Sequence, residues 1–244
     1  MRVIDCHAHL EEVPNLDQEL KIAKENGVAA VIAVGADEDS NKAVQDISQR
    51  YPNYVLPALG LHPWNLRENI ERAIRSIEEN IERCIALGEV GLDFRYQTPK
   101  ELQIKAFSQI LDLAAHYDKP VIIHSRWAWR EAFEMVDRAG IDRAVFHWYS
   151  GPLDVLQKII ARGYYVSATP AAEFSEAHRT AIKAVPLEQL LLETDSPVKY
   201  RGVAATPSHI IKTLKAVAQL KEVEEAELSE KTTENASRIF GIKI

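Results

Sequence analysis

Short apolar runs alternate with stretches of helical periodicity along this chain of 244 residues. The runs are rich in Val, Ile, Leu and Ala, and they predict eight β-strands. Between them, apolar residues recur three and four positions apart, which predicts amphipathic helices. The predicted strands cover residues 3–6, 29–34, 54–59, 84–88, 120–123, 143–146, 164–168 and 189–192.

Eight strands, each followed by a helix-containing connection, are typical of a (β/α)₈ barrel. We therefore predict the α/β class and a single TIM barrel over residues 1–244, because no linker or break in composition marks a second domain. An open doubly wound sheet is the alternative, but that fold needs a Gly-rich phosphate loop after its first strand. Here the first predicted strand is followed by His7, Ala8 and His9, which favours the barrel.

Two helices have recognisable start signals. Thr98 is predicted to be an N-cap, with Pro99 in the first helical position and Glu101 completing a capping box, for a helix that runs to residue 117. Thr206 and Pro207 repeat the pattern before a further helix, expected over residues 208–220.

His7 and His9 are the most informative residues of the chain. Side chains two positions apart on a strand share a face, so the two imidazoles are expected to converge at the end of the first strand. Neutral histidine nitrogens are good ligands for transition metals. A polar pair that hydrogen-bonds the backbone at a strand end is the alternative interpretation.

Ligand-type side chains also follow the third, fourth, fifth, sixth and eighth predicted strands, where barrel enzymes carry their catalytic residues. Taken singly, each has an ordinary alternative, such as an ion pair, a loop histidine or a capped turn. Together they predict a metal centre, and imidazole and carboxylate without thiolate suit Mg, Mn, Zn, Fe or Co. The residues are His62, Glu89, Asp93, His124, His147, Glu193 and Asp195.

Seven separated motifs resemble, in order, those of the TatD family of metal-dependent hydrolases. They are DCHAHL, GLHP, GEVGLDF, IHSR, HWYSG, LETDSP and TTENASRIFGI, and they span residues 3 to 241. The resemblance implies a barrel of the amidohydrolase superfamily and deoxyribonuclease activity, with DNA as the partner, as single strands or frayed ends.

The resemblance also implies roles for individual residues. His7, His9 and Asp195 would bind one divalent metal ion, and His124 and His147 a second, with Glu89 bridging the two. Asp195 would also accept a proton from the attacking water. His62 would lie near the substrate phosphate, and Arg201, followed by Gly202, fits the same family pattern.

Several residues depart from the family pattern and bear on the substrate. Trp148 and Tyr149 are bulkier than is usual, residues 127–130 are also bulky, and Thr206 stands where an asparagine is common before Pro207. Three strand-end loops pair a cation with aromatic residues, Arg126 among them, as single-strand-binding proteins do. We hypothesise a basic and aromatic rim that holds a strand end; aromatic residues that only roof the barrel mouth are the alternative.

Composition narrows the remaining choices. The net charge of −7 argues against a general attraction to nucleic acid, although it leaves a local site open. No apolar run is long enough to span a membrane, and we expect no signal peptide. Cys6 and Cys84 are the only cysteines, and Cys6 is expected to be buried and to face the covering helices. A cytoplasmic location is the resulting expectation.

Two other functions remain open at this stage. The same barrel and metal chemistry serves hydrolases of small esters, lactones and amides. A scaffold protein that has retained a metal is less favoured, because every expected ligand is present. No obligate protein partner is evident, and the helix over residues 208–220 with the charged stretch 221–230 is interpreted as a solvated helical surface rather than an interface.

Overall fold

The computed structural model describes residues 1–66 and 70–243, and within them eight parallel strands pair in chain order. This is the predicted (β/α)₈ barrel. A short antiparallel hairpin, β9 with β10, follows the eighth strand. The strands are β1 Val3–Ala8, β2 Val28–Val34, β3 Val55–Leu61, β4 Ala86–Asp93, β5 Val121–Arg126, β6 Ala144–Phe146, β7 Tyr165–Ala168, β8 Leu190–Leu192, β9 Lys199–Tyr200 and β10 Val203–Ala204.

Helices follow the strands and cover the barrel. None of those in the described part of the chain is long and apolar enough to cross a membrane. The helices are α1 Leu16–Glu25, α2 Glu38–Arg50, α3 Ile70–Glu79, α4 Lys100–His116, α5 Trp129–Arg138, α6 Leu153–Ala161, α7 Glu176–Ala184, α8 Ile210–Lys221 and α9 Glu225–Phe240.

The strands that carry the polar residues extend beyond their predicted ends. β4 continues past Glu89 to Asp93, and β5 continues past His124 to Arg126, with the two strands paired along this extension. The predicted ends are wrong there, because the first polar side chain after an apolar run does not end the strand. In a barrel these side chains point into the interior while the backbone ladder continues.

The barrel closes between β1 and the chain that follows β8. The Asp195 N–H donates to the His7 carbonyl at 2.9 Å, and the His9 N–H donates to the Ser196 carbonyl at 2.8 Å. Below this point, the buried Asp5 carboxylate accepts the Thr194 N–H at 2.9 Å and the Thr194 hydroxyl at 2.6 Å. Burial raises the pKa of Asp5 to about 8, against the lowering effect of these hydrogen bonds. One carboxyl group therefore ties the first strand to the end of the last.

The barrel interior is filled by a cluster that draws on strands all around the sheet. Its members include Ile122 and Val145, which lie two residues before His124 and His147 and so share their face. Cys6 also belongs to this cluster, together with Ala236, Ile239 and Phe240 of α9, so it is buried as predicted but on the interior face of the sheet. The prediction assumed strict alternation, whereas the pairing of β1 with β2 shifts register between Asp5 and Ala8.

The predicted capping box of α4 does not form. The helix begins at Lys100, with Pro99 in the N-cap position and no side-chain cap. Instead the buried Gln103 accepts the Asp93 N–H at 2.7 Å, and its amide donates to the Asp93 and Thr98 carbonyls. This side chain pairs with the end of β4 as a neighbouring strand would. The second start signal is present in a modified form, because Pro207 opens a short 3₁₀ turn before α8.

We expect Thr194→Val to lower the free energy of unfolding by about 1–3 kcal/mol, because it removes a buried donor from the Asp5 carboxyl group. Urea denaturation in the presence of a chelator measures this without a contribution from bound metal. Thr180→Val, at an exposed position of α7, is the matched control and should change stability little. An equal effect of the two substitutions would contradict the role of Asp5 in closure.

Candidate metal centre

The Glu89 carboxylate lies at the centre of the residues predicted to bind metal, and its side chain is 3% exposed. Its Oε2 atom is 3.4 Å from His7 Nε2 and 3.3 Å from His9 Nε2. Its Oε1 atom is 2.7 Å from His124 Nδ1 and 2.8 Å from His147 Nε2. One oxygen therefore faces the first strand, and the other faces the fifth and sixth strands.

Asp195 joins the group formed by the first strand. Its Oδ1 atom is 3.5 Å from His7 Nε2 and 3.7 Å from His9 Nε2, and those two nitrogens are 3.4 Å apart. The backbone hydrogen bonds that close the barrel join His7 to Asp195 and His9 to Ser196. They therefore hold the Asp195 side chain close to the two imidazoles. The structure thus brings together all six residues predicted to be ligands.

Glycines allow the strands to approach closely around Glu89. A Cβ atom at Gly60 in β3 would lie 2.3 Å from the Glu89 backbone nitrogen. At Gly91 in β4, where φ is +141°, a Cβ atom would lie 2.1 Å from the His124 carbonyl oxygen. Larger residues would force β3, β4 and β5 apart. The glycines therefore permit the convergence of ligand-type side chains from three strands.

The buried carboxylates give the site an electrostatic environment that favours positive charge. Burial acts to lower the pKa of His9, but the Glu89 and Asp195 carboxylates raise it to about 9. The pKa values of His124 and His147 are also raised, because nearby carboxylates outweigh burial. Conversely, burial acts to raise the pKa of Glu89, and the surrounding histidines hold it well below its usual value. The carboxylates therefore favour the protonated, positively charged form of these imidazoles.

His62 behaves differently from the other site histidines. Burial lowers its pKa to about 4, although the nearby Glu89 carboxylate opposes this. Its Nδ1 atom accepts the Trp64 backbone N–H at 3.2 Å, so the remaining proton of the neutral ring lies on Nε2. That Nε2 is 3.3 Å from Glu89 Oε1. His62 is therefore close to the Glu89 carboxylate, whereas a residue that only contacts the substrate would not have to be.

The donor set fits divalent metal ions. His7, His9 and Asp195 offer ligand atoms within 4.8 Å of one another, as do His62, Glu89 and His124. The His7 Nδ1 atom is buried without a hydrogen-bond partner among the described residues. Five imidazoles around buried carboxylates are a poor hydrogen-bonding arrangement, but imidazole and carboxylate are suitable ligands for Zn, Mn and related ions.

Two carboxylates behind the histidines fix the orientation of the rings. Glu193 Oε1 is 3.3 Å from His147 Nδ1 and also accepts the Trp148 N–H. Asp93 Oδ2 is 3.3 Å from His124 Nε2. Such carboxylate partners set the orientation of a ligand imidazole and raise its basicity.

Asp93 is the residue whose importance the sequence showed least clearly. Its buried carboxylate also accepts the indole N–H of Trp64 at 2.5 Å and two guanidinium N–H groups of Arg126, at 2.9 and 3.1 Å. Burial raises its pKa, but these hydrogen bonds and that of His124 prevail and hold it well below its usual value. The predicted substrate residue Arg126 is thus held against the metal centre by an ion pair. Gln103 is not among the predicted site residues, although it is a polar residue on the buried face of α4.

A cavity of about 660 Å³ opens above Glu89 at the carboxyl end of the strands. Two aromatic groups flank it. In one, Trp64 stacks on Tyr96 and lies under the Arg126 guanidinium. In the other, Trp148 contacts Tyr200, with 5.4 Å between the ring centroids.

Not every aromatic residue of the hypothesised rim is available to a ligand. Trp127 is 62% exposed and lies near Arg95. Tyr149, however, is fully buried and donates to the Pro152 carbonyl, and Trp129 packs against the core. Arg201 covers the Phe174 ring and is not among the described residues that line the cavity.

Comparison with known proteins identifies the family. The family model for TatD related DNases matches residues 4–241. Human "Deoxyribonuclease TATDN3" is 31% identical over 258 residues, covering 98% of this chain and 94% of that protein. A Bacillus subtilis protein described as an "Uncharacterized metal-dependent hydrolase" is 28% identical, covering 98% of this chain and 99% of that one.

Solved structures agree with these sequence matches. The crystal structure of YjjV, a TatD homolog from Escherichia coli, superposes with a TM-score of 0.92 at 26% identity, covering 99% of each chain. The sequence resemblance is therefore confirmed, and with it the barrel fold and the hydrolase class. This chain belongs to the TatD-related DNase family of metal-dependent hydrolases.

Proposed function

We propose that this protein is a metal-dependent phosphodiester hydrolase that removes nucleotides from the ends of single-stranded or frayed DNA. The observation that carries the proposal is the Glu89 carboxylate between two groups of imidazoles, at the floor of a cavity flanked by aromatic and cationic side chains. The name of the human relative supports DNA as the substrate. Residues 1–244 are proposed to act as one catalytic unit, without an obligate partner.

The residues proposed to hold two divalent ions follow the two sides of Glu89. His7, His9 and Asp195 form one group, His124 and His147 form the other, and Glu89 offers one oxygen to each. When bound, two such ions supply Lewis-acid activation of water and charge stabilisation at phosphorus.

The protein's own groups perform the remaining steps. Asp195 accepts the proton of the attacking water, since its carboxylate lies at the edge of the cavity and 3.5 Å from His7. His62, a neutral ring, has one N–H to donate to a phosphate oxygen. Asp93 and Glu193 hold His124 and His147 in fixed orientations, so the ligand geometry does not have to reorganise.

The substrate is proposed to lie between the two aromatic groups. Arg126 lines the cavity and presents its guanidinium to a phosphate near the scissile bond. Arg201, which lies outside the cavity lining, is assigned to a more distant phosphate. Bases stacked on Trp64, Trp127 or Trp148 would hold the strand end without regard to sequence.

Metal affinity should rise with pH between 6 and 9. A divalent ion needs neutral imidazoles, and the pKa of His9 is raised to about 9, so a proton must leave when the ion binds. Each displaced proton changes the affinity about tenfold per pH unit below that pKa. Calorimetric titration with Mn²⁺ in two buffers of different ionisation enthalpy counts the protons released.

His9→Gln should lower the number of released protons by about one. His116→Gln, at an exposed position of α4, is the matched control and should leave it unchanged. Binding without proton release, at an affinity independent of pH, would contradict the assignment of His9.

An end-labelled single-stranded oligonucleotide should be shortened progressively from one end in the presence of Mg²⁺ or Mn²⁺. A gel time course shows both the activity and its polarity. Chelator and Asp195→Asn should each abolish the ladder, whereas Asp142→Asn, at an exposed position before β6, should not. No cleavage by metal-loaded protein would favour a small ester, lactone or amide as the substrate.

Trp127→Ala and Trp148→Ala should each weaken oligonucleotide binding by about 1–3 kcal/mol, the usual contribution of one base stacked on an aromatic ring. Fluorescence anisotropy measures the affinity, and elemental analysis should show unchanged metal content. Tyr51→Ala, at the end of α2, serves as the control. Unchanged affinity in both tryptophan variants would mean that the rings only roof the barrel.

A further inference from the structure

A second cleft lies beside the first, on the same end of the barrel. Its volume is about 330 Å³, and it is formed by the chain after β7 together with α7 and α8. Arg179 comes from the first turn of α7, and Lys212 and Lys215 come from the first two turns of α8. Helices of a barrel begin at the end where its strands finish, so these cations share the face that carries the metal centre.

The segment 173–175 separates the two clefts. Ser175 lines the cavity above Glu89, whereas Glu173 lines the second cleft. Between them, the half-buried Phe174 ring is 6.5 Å from that of Tyr200, which in turn contacts Trp148 in the cavity wall. Arg201 lies 4.6 Å above the Phe174 ring. A continuous row of rings therefore leads from the cavity to the second cleft.

The second cleft is positive on a protein whose net charge is −7. Three of its lining residues are cations and one, Glu173, is an anion. Lys212 and Lys215 are exposed, and neither forms an ion pair with a residue in the described ranges. Burial and the charge of Lys212 lower the pKa of the neighbouring His209, and they outweigh the opposing effects of Glu19 and Glu173. The local potential therefore attracts anions, against the overall charge of the molecule.

We propose that the cleft between α7 and α8 is a phosphate subsite for the DNA strand, a few nucleotides from the scissile bond. This rests on the proposed function and extends it: the strand leaves the cavity past Trp148, crosses the segment 173–175 beside Arg201, and places a backbone phosphate between Lys212 and Lys215. A short substrate that ends before Phe174 does not reach the second cleft.

The double variant Lys212→Gln/Lys215→Gln tests this subsite. Each phosphate that the protein neutralises on a single strand contributes about 0.7 to the slope of log affinity against log salt, so loss of this one phosphate contact reduces the slope by about 0.7. The advantage of the unmodified protein over the variant then falls about threefold between 50 and 200 mM salt. Cleavage of a dinucleotide should be unchanged.

Lys158→Gln/Lys183→Gln is the matched control. It makes the same change in net charge, at exposed lysines in the last turns of α6 and α7, on the opposite face of the barrel. Binding of a twelve-nucleotide strand and of a dinucleotide is measured for all three proteins across the salt range. A length-dependent loss in the Lys212/Lys215 variant alone supports the subsite.

Three other outcomes overturn the inference in distinguishable ways. If the unmodified protein cleaves DNA but both double variants lose equal affinity for the long strand, the subsite is wrong and the proposed function stands. If the unmodified protein neither binds nor cleaves DNA, the proposed function fails together with the subsite. Inorganic phosphate that binds at Lys212 and Lys215 without affecting the long strand would show a free-anion site instead.

Discussion

The closure of the barrel between β1 and the chain after β8 is the constraint on which the site depends. Two backbone hydrogen bonds join His7 and His9 to Asp195 and Ser196, so the same contacts that complete the sheet also align three of the predicted ligands. The opposite half of the site is set by the ladder between β4 and β5, which brings His124 to Glu89. A loss of closure would leave each half intact but would separate the histidines of the first strand from the central carboxylate.

Closure also concentrates charge. Glu89, Asp195 and Glu193 are buried near one another, and buried carboxylates are costly unless positive charge compensates them. The raised pKa values of His9, His124 and His147 show that protons can supply this charge. The proposed divalent ions would supply more of it through the same nitrogen atoms. Protons and metal ions would then compete for one set of predicted ligands, so the electrostatic field that favours a metal ion would also make its binding sensitive to acid.

The sequence predicted the fold and the central residues because both depend on simple periodicity. Apolar runs located all eight strands, and ligand-type residues at their ends located the site. What could not be predicted depends on contacts between distant segments. Tertiary packing of α4 to α7 decides whether Tyr149 faces solvent or the core. It also decides whether α4 begins with the capping box of Thr98 and Glu101 or with Gln103 paired to Asp93. The irregular register of β1, which places Cys6 in the barrel interior, also leaves no trace in the pattern of residues.

The positive side chains around the site are not equivalent. Arg126 forms two hydrogen bonds with the buried Asp93, so its charge is largely compensated, and its contribution is a rigid set of donors beside the metal centre. Lys212 and Lys215 have no such ion-pair partner in the described part of the chain, and they outnumber the one acidic residue of their cleft. In the proposed function, orientation of the reacting phosphate and attraction of the strand are therefore separate tasks. The first needs fixed cations within the site, and the second needs exposed cations beyond it, which an acidic protein must place locally.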